Sequence, residues 1–107
     1  MTIDAARVFQ ALADPTRRDM VERLSEKPMS VSTLAVPYAM SLTAVGQHLT
    51  VLEAAGLVTT QKQGRVRTVH ATRPGLDAVR AWLDARRSPL EQSLDALGDF
   101  LAKDDKA

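Results

Sequence analysis

Four neutral polar side chains, Ser41, Thr43, Gln47 and Thr50, recur at intervals that put them on one side of a helix, with His48 at the edge. A helix face meant only for solubility carries Glu and Lys; hydroxyls and a carboxamide suit a groove. Gln can bond adenine N6 and N7 together, Ser and Thr reach base edges or phosphate, and a helix N-terminus itself attracts phosphate. A second set, Lys62, Arg65 and Arg67, surrounds Gly64. Two apart on an extended segment, Arg65 and Arg67 project from the same side, where guanidinium groups fork onto phosphate or enter a narrow minor groove. Each set also has a plainer reading: an ordinary polar helix surface, and cations that keep a hairpin edge from pairing. His48 has two readings as well, bonding a phosphate or packing at the helix boundary.

Other chemistries find no support. The sequence of 107 residues has no cysteine, which removes disulfides, thiolate metal sites, iron–sulfur clusters and cysteine nucleophiles. The serines lack a His and acid constellation, there is no Gly-rich phosphate loop, and the carboxylates are scattered, so no enzyme is expected. The histidines, His48 and His70, share no ligand spacing with carboxylates; neither a metal nor a cofactor is expected. The acidic start Met-Thr-Ile-Asp and the lack of 18 uninterrupted apolar residues point to a cytoplasmic protein without membrane contact. Net charge is only +1, yet its distribution is uneven. Residues 27–76 carry Lys27, Lys62, Arg65, Arg67 and Arg73 against Glu53 alone, whereas the segment from 88 onward is acidic. A basic centre allows a local anionic partner.

These side chains need elements to hold them. Residues 4–13 place Val8, Phe9 and Leu12 on one helical face, and Asp14-Pro15 caps and opens a second helix to about Ser25 with Met20, Val21 and Leu24 inward. Lys27-Pro28 breaks the chain; Ser30 caps a short helix with Val31, Leu34 and Ala35, limited by Pro37. Ser41 then caps LTAVGQHLTVLEAAG, where Val45, Leu49 and Leu52 form a buried stripe and Gly56 supplies a left-handed end. The β-branched segments 57–60 and 66–70 flank Lys62-Gln63-Gly64-Arg65 as a hairpin. A helix from Pro74 holds Leu76, Val79, Trp82 and Leu83, and Ser88-Pro89 opens or kinks a last one. The expected fold is mainly α with a small β-hairpin: a winged helix-turn-helix, α-α-α-α-β-β-α-α, dimeric.

With that order assembled, the sequence resembles the ArsR family of winged-helix repressors, small dimeric regulators of bacterial transcription. The residues that carry the resemblance are ALADPTRRDMVERL at 11–24, SVSTLAVPYAMSLTAVGQHLTVLEAAGLV at 30–58 and QGRVRTVHA at 63–71. The resemblance implies specific binding to a roughly palindromic double-stranded operator, released by a signal. It gives recognition-helix roles to Ser41, Thr43, Gln47 and His48 and the wing role to Arg65 and Arg67. Two positions depart: Gly46 stands where the family often has Ser, and Thr50 where it often has Lys or Arg. The cysteine pairs or Asp and His pairs of the metal-sensing members are absent, which resembles the branch without such ligands. No effector pocket is identifiable.

Leu76, Leu83, Leu90 and Leu97 lie seven apart, with Leu94 and Leu101 filling the seam. Such a stripe needs a cover, and a two-fold interface of Phe9 and Leu12 with Trp82, Leu90, Leu94, Leu97 and Leu101 is expected. Residues 1–107 are thus read as one domain, with a helix-turn-helix at about 30–56, a wing at about 57–71 and dimerisation helices at about 4–13 and 74–103. The expected function is a sequence-specific DNA-binding regulator, a homodimeric repressor that reads the major groove with residues 42–55 and clamps the backbone with 62–67. The alternative is a winged-helix dimer that binds another protein and no longer binds DNA.

Overall fold

The computed structural model describes residues 3–104; Asp105 and Lys106 of the acidic tail lie outside them. Helix α1 (Ala5–Ala13) starts at Asp4, whose carboxylate accepts the Ala6 N–H at 3.0 Å. Helix α2 (Pro15–Glu26) follows at once, with Asp14 accepting from the Arg17 N–H at 3.0 Å and Pro15 in its first turn. Ser30 caps the single turn and a half of α3 (Val31–Ala35), and Ser41 caps α4 (Leu42–Ala54) by accepting the Ala44 N–H at 3.1 Å. The joint between them is pinned to α2: the Tyr38 hydroxyl donates to Asp19 at 2.6 Å, and Arg23 lies over the Tyr38 ring while donating to the Leu34 carbonyl at 2.8 Å. Burial and that hydrogen bond to a carboxylate push the Tyr38 hydroxyl pKa up.

Three strands complete the head. A two-residue β1 (Met29–Ser30) pairs with β3 (Val66–Ala71), and β3 pairs with β2 (Val58–Gln63), giving the antiparallel order β1-β3-β2. The expected two-stranded hairpin therefore has a third strand. Met29 and Ser30 are too few to show an alternation, and β3 supplies the hydrogen-bonding edge that makes them a strand. Val8, Met20, Leu34, Leu52, Leu57 and Val69 are fully enclosed and join the helices to the sheet in one core.

The larger correction concerns the C-terminal part. The two expected helices are one, α5 (Pro74–Asp104), running through Pro89 without interruption. Proline removes the bond to the carbonyl four residues back, here Ala85. That turn is exposed on every side, so solvent can satisfy the freed carbonyl and no neighbour resists a slight bend. The observed order is α-α-β-α-α-β-β-α. At 1.5 Å per residue α5 is about 46 Å long, and the molecule measures 73 × 32 × 21 Å. Its radius of gyration is 19.9 Å, against about 13 Å for a compact chain of this size. A head carries a long arm.

Two glycines join arm to head. Gly56 adopts φ +71 past the end of α4, as its expected left-handed role requires. Its carbonyl accepts the Gly75 N–H at 2.8 Å and the Thr72 hydroxyl at 3.0 Å, which seats the first turn of α5 directly on the end of α4.

Candidate nucleic-acid interface

Helix α4 buries Val45, Leu49 and Leu52 and turns Thr43, Gln47 and Thr50 outward, as their spacing predicts. The hydroxyls differ in what they can offer. Ser41 is exposed, and its oxygen accepts the Ala44 N–H, so its own O–H is free to donate. Thr50 donates to the Gly46 carbonyl at 3.0 Å, which leaves its oxygen lone pairs facing solvent.

The hairpin tip turns through Gly64 and Arg65, with Gln63 paired to Val66. Only Gly64 has positive φ, +62, the pattern of a type II′ turn. Along β2, Val58 and Thr60 face the core side; strand alternation continues that face to Lys62, which sits directly opposite Arg67. Like charges in a cross-strand pair oppose folding, so the wing holds an arrangement that an anion would relieve. Arg65 and Arg67 meet Gly46 and Thr50 across a cleft of about 450 Å³ between wing and α4. Sequence reasoning missed Ser30 and Ser32, placed by β1 and α3, and Glu53, placed by α4 itself, as members of its wall.

Gly46 lines this cleft, and a Cβ built there meets nothing within 4 Å. A helix-interior glycine costs roughly 0.5–1 kcal/mol relative to alanine. Gly46→Ala is therefore expected to stabilise the protein by about that amount, measured as a higher denaturation midpoint.

His48 is half-buried, on the flank of α4 turned away from the wing. Its Nδ1 lies 3.3 Å from Arg17 Nη1. Arg17, overlooked as a site residue although it belongs to the Asp-Pro-Thr-Arg-Arg run, also donates from Nε to the Ala11 carbonyl at 2.7 Å and from Nη2 to the Gln10 carbonyl at 3.3 Å. Its backbone N–H, donated to Asp14, is the main cause that holds the Asp14 carboxyl below the usual carboxylate range. Among the described residues, no three His, Asp or Glu side chains gather as metal ligands, and no helix is long and apolar enough to cross a membrane.

The expected interface residues divide. Leu12 packs against its own core, and Phe9 meets Trp82 edge to face at 5.3 Å within the chain, each ring remaining 40% exposed. Leu90, Leu94, Leu97 and Leu101 stand on the free arm, each more than half exposed. Beside Trp82 an apolar groove of about 570 Å³ opens between Ile3 and the first turns of α5.

Comparison with known proteins agrees with this geometry. A family described as a helix-turn-helix domain matches residues 12–61. The chain is 46% identical, over 73% of each sequence, to the HTH-type transcriptional regulator Rv2034 of Mycobacterium tuberculosis. It is similar to the crystal structure of an ArsR family transcriptional regulator with a TM-score of 0.76 and 42% identity, covering 85% of this chain and 97% of that one. The solution structure of the homodimeric winged helix-turn-helix DNA-binding domain of Mb0332 from Mycobacterium bovis matches with a TM-score of 0.60 at 27% identity, over 80% and 78% of the two chains. The chain belongs to the ArsR family of winged helix-turn-helix proteins and is a DNA-binding transcriptional regulator.

Proposed function

We propose that the protein is a homodimeric repressor of a roughly palindromic operator. Helix α4 enters the major groove with Ser41, Thr43, Gln47 and Thr50 towards base edges and flanking phosphates, and Lys62, Arg65 and Arg67 clamp the backbone beside it. The observation that carries this reading is the outer face of α4, neutral at Thr43, Gln47 and Thr50 and charged only at Glu53 near its end, standing across an open cleft from a wing that pairs Lys62 with Arg67. Recognition helices of such a dimer must lie about 34 Å apart to enter successive grooves.

The arm supports pairing with a second copy. A helix with leucines at Leu90, Leu94, Leu97 and Leu101, each more than half exposed, needs an apolar partner. Charge favours an antiparallel partner. The first half of α5 carries Arg80, Arg86 and Arg87 over Asp77 and Asp84, and the second half carries Glu91, Asp95, Asp99 and Asp104 over Lys103. Antiparallel pairing sets the basic half against the acidic one; parallel pairing sets like against like. The groove beside Trp82 then faces the far end of the partner's arm.

Duplexes selected from a random pool, followed by titration against salt, test the reading. Contacts from Lys62, Arg65, Arg67 and one helix donor per subunit neutralise ~6 to 8 phosphates, giving a slope of log K on log salt of roughly −5 to −7. Gln47→Ala weakens the selected sequence by about 1–3 kcal/mol and leaves nonspecific binding nearly unchanged. A flat salt response favours the protein-binding alternative, and equal losses on all sequences remove Gln47 from base reading.

A further inference from the structure

We infer that Arg17 is a positioning residue for DNA binding, one that fixes His48 as a neutral ring with its Nε2–H offered to a phosphate on the groove wall away from the wing. The inference rests on the proposed entry of α4 into the groove. It begins with the 3.3 Å contact between Arg17 Nη1 and His48 Nδ1. A guanidinium has donors only, so the contact is a hydrogen bond only when Nδ1 carries a lone pair. The neutral ring then has its proton on Nε2. Among the described residues, no buried side-chain nitrogen or oxygen lacks a partner. The Nε2 of the half-buried His48 has no hydrogen bond among the described residues, so it reaches the surface.

Arg17, the neighbour of His48, also lines a cleft that suits an anion, though His48 is not on its wall. On this flank of α4 a second cleft, of about 390 Å³, is lined by Arg7, Gln10 and Arg17 from α1 and α2 and by Thr50 and Val51 from α4. Thr50 lies on both clefts, so the outward face of α4 runs between two cation-bearing walls, Arg65 with Arg67 on one side and Arg7 with Arg17 on the other. A helix lying in a major groove passes between two phosphate strands. The wing addresses one, and the His48 flank faces the other.

Arg17 suits the positioning role because it has little freedom. Two of its nitrogens are anchored on the Ala11 and Gln10 carbonyls, and its backbone N–H is held by Asp14. The third nitrogen is thereby aimed at His48. Rotation of the imidazole or a switch of tautomer would forfeit that bond, so the donor stays on Nε2 and stays pointed outward. A charge-assisted bond of this kind is among the stronger ones available to a side chain.

A double-mutant cycle on the full-length protein, with a duplex selected from a random pool as probe, tests this. His48→Ala is expected to weaken binding about tenfold, the usual scale for losing one hydrogen bond to a charged group. Arg17→Met is expected to weaken it by a similar factor, and the double variant to bind no worse than either. The imidazole ¹⁵N spectrum should show Nε2 protonated and Nδ1 bare in the parent, and a tautomer mixture in Arg17→Met. If Arg17→Met does not fold, Arg17→Lys, which keeps the charge without the planar fork, must show the same non-additivity. Multiplying losses would overturn the proposal by showing that Arg17 acts only through the α1–α2 joint. Unchanged binding by His48→Ala would overturn it too, and Gln47→Ala then separates the cases: a loss there leaves the α4 reading intact, while no loss there removes that reading as well.

Discussion

Leu94→Glu is expected to leave the protein monomeric at concentrations where the parent chain is paired, with at least a 10³-fold rise in the dimer dissociation constant. The substitution places one carboxylate per subunit into an apolar seam, and an uncompensated buried charge costs about 3–5 kcal/mol; two copies of even the smaller figure exceed the ~4 kcal/mol that a 10³-fold change represents. Folding should survive. In the single chain Leu94 is 57% exposed and packs against nothing in the head, so the core gathered around Met20, Leu34 and Leu52 does not depend on it. Sedimentation velocity reads the oligomeric state, and thermal melting of the head reads its integrity. Operator affinity is expected to fall as dimerisation is lost, because a monomer holds one half-site and loses the coupling between two. A Leu94→Glu protein that sediments like its parent would remove the arm from the interface.

Much of the proposed reading surface was legible in the sequence because local chemistry decides it. Ser41 caps α4, Gly56 ends it, and the stripe of Val45, Leu49 and Leu52 fixes which side faces out; each follows from one residue type at one position. The wing was legible for the same reason, since Gly64 sets the turn and β-branched residues flank it. What escaped depends on partners far along the chain. β1 exists because β3 lends it an edge, and the Arg17–His48 contact joins residues 31 apart in sequence. Pro89 misled in the opposite direction: a local rule about proline predicts a break, and an arm free of neighbours tolerates the lost bond. Leu12 shows the limit of periodicity, which marks an apolar face without saying whether the cover comes from the same chain.

Gly75→Ala is the substitution with the largest expected effect on the head itself, and it should act on both stability and the spacing of the reading helices. A Cβ at Gly75 would lie 2.6 Å from the Ala55 carbonyl oxygen and 3.0 Å from the Gly56 carbonyl. Both obstacles are backbone at the end of α4, so no side chain can swing aside. Either the first turn of α5 lifts or α4 shifts. Overpacking of this kind costs typically 1–3 kcal/mol, which for a domain of this size lowers the melting temperature by about 5–15 °C. The same exchange at Gly46, in open space, is expected to act in the opposite direction, so the pair of variants separates a packing effect from any general influence of alanine on helices. The functional consequence follows from position. The Gly56–Gly75 contact is where the helix proposed to read DNA meets the helix proposed to pair with a second copy. A change of angle there leaves every side chain proposed to face DNA in place on its own helix while moving the two copies of that helix in the proposed dimer relative to each other. Gly75→Ala protein that remains folded should therefore lose affinity for the parent's selected operator more than for an isolated half-site, and selection from duplexes of varied spacing should return a different preferred separation. Unchanged melting and unchanged spacing preference would show that α5 can seat on α4 without a bare backbone at this position.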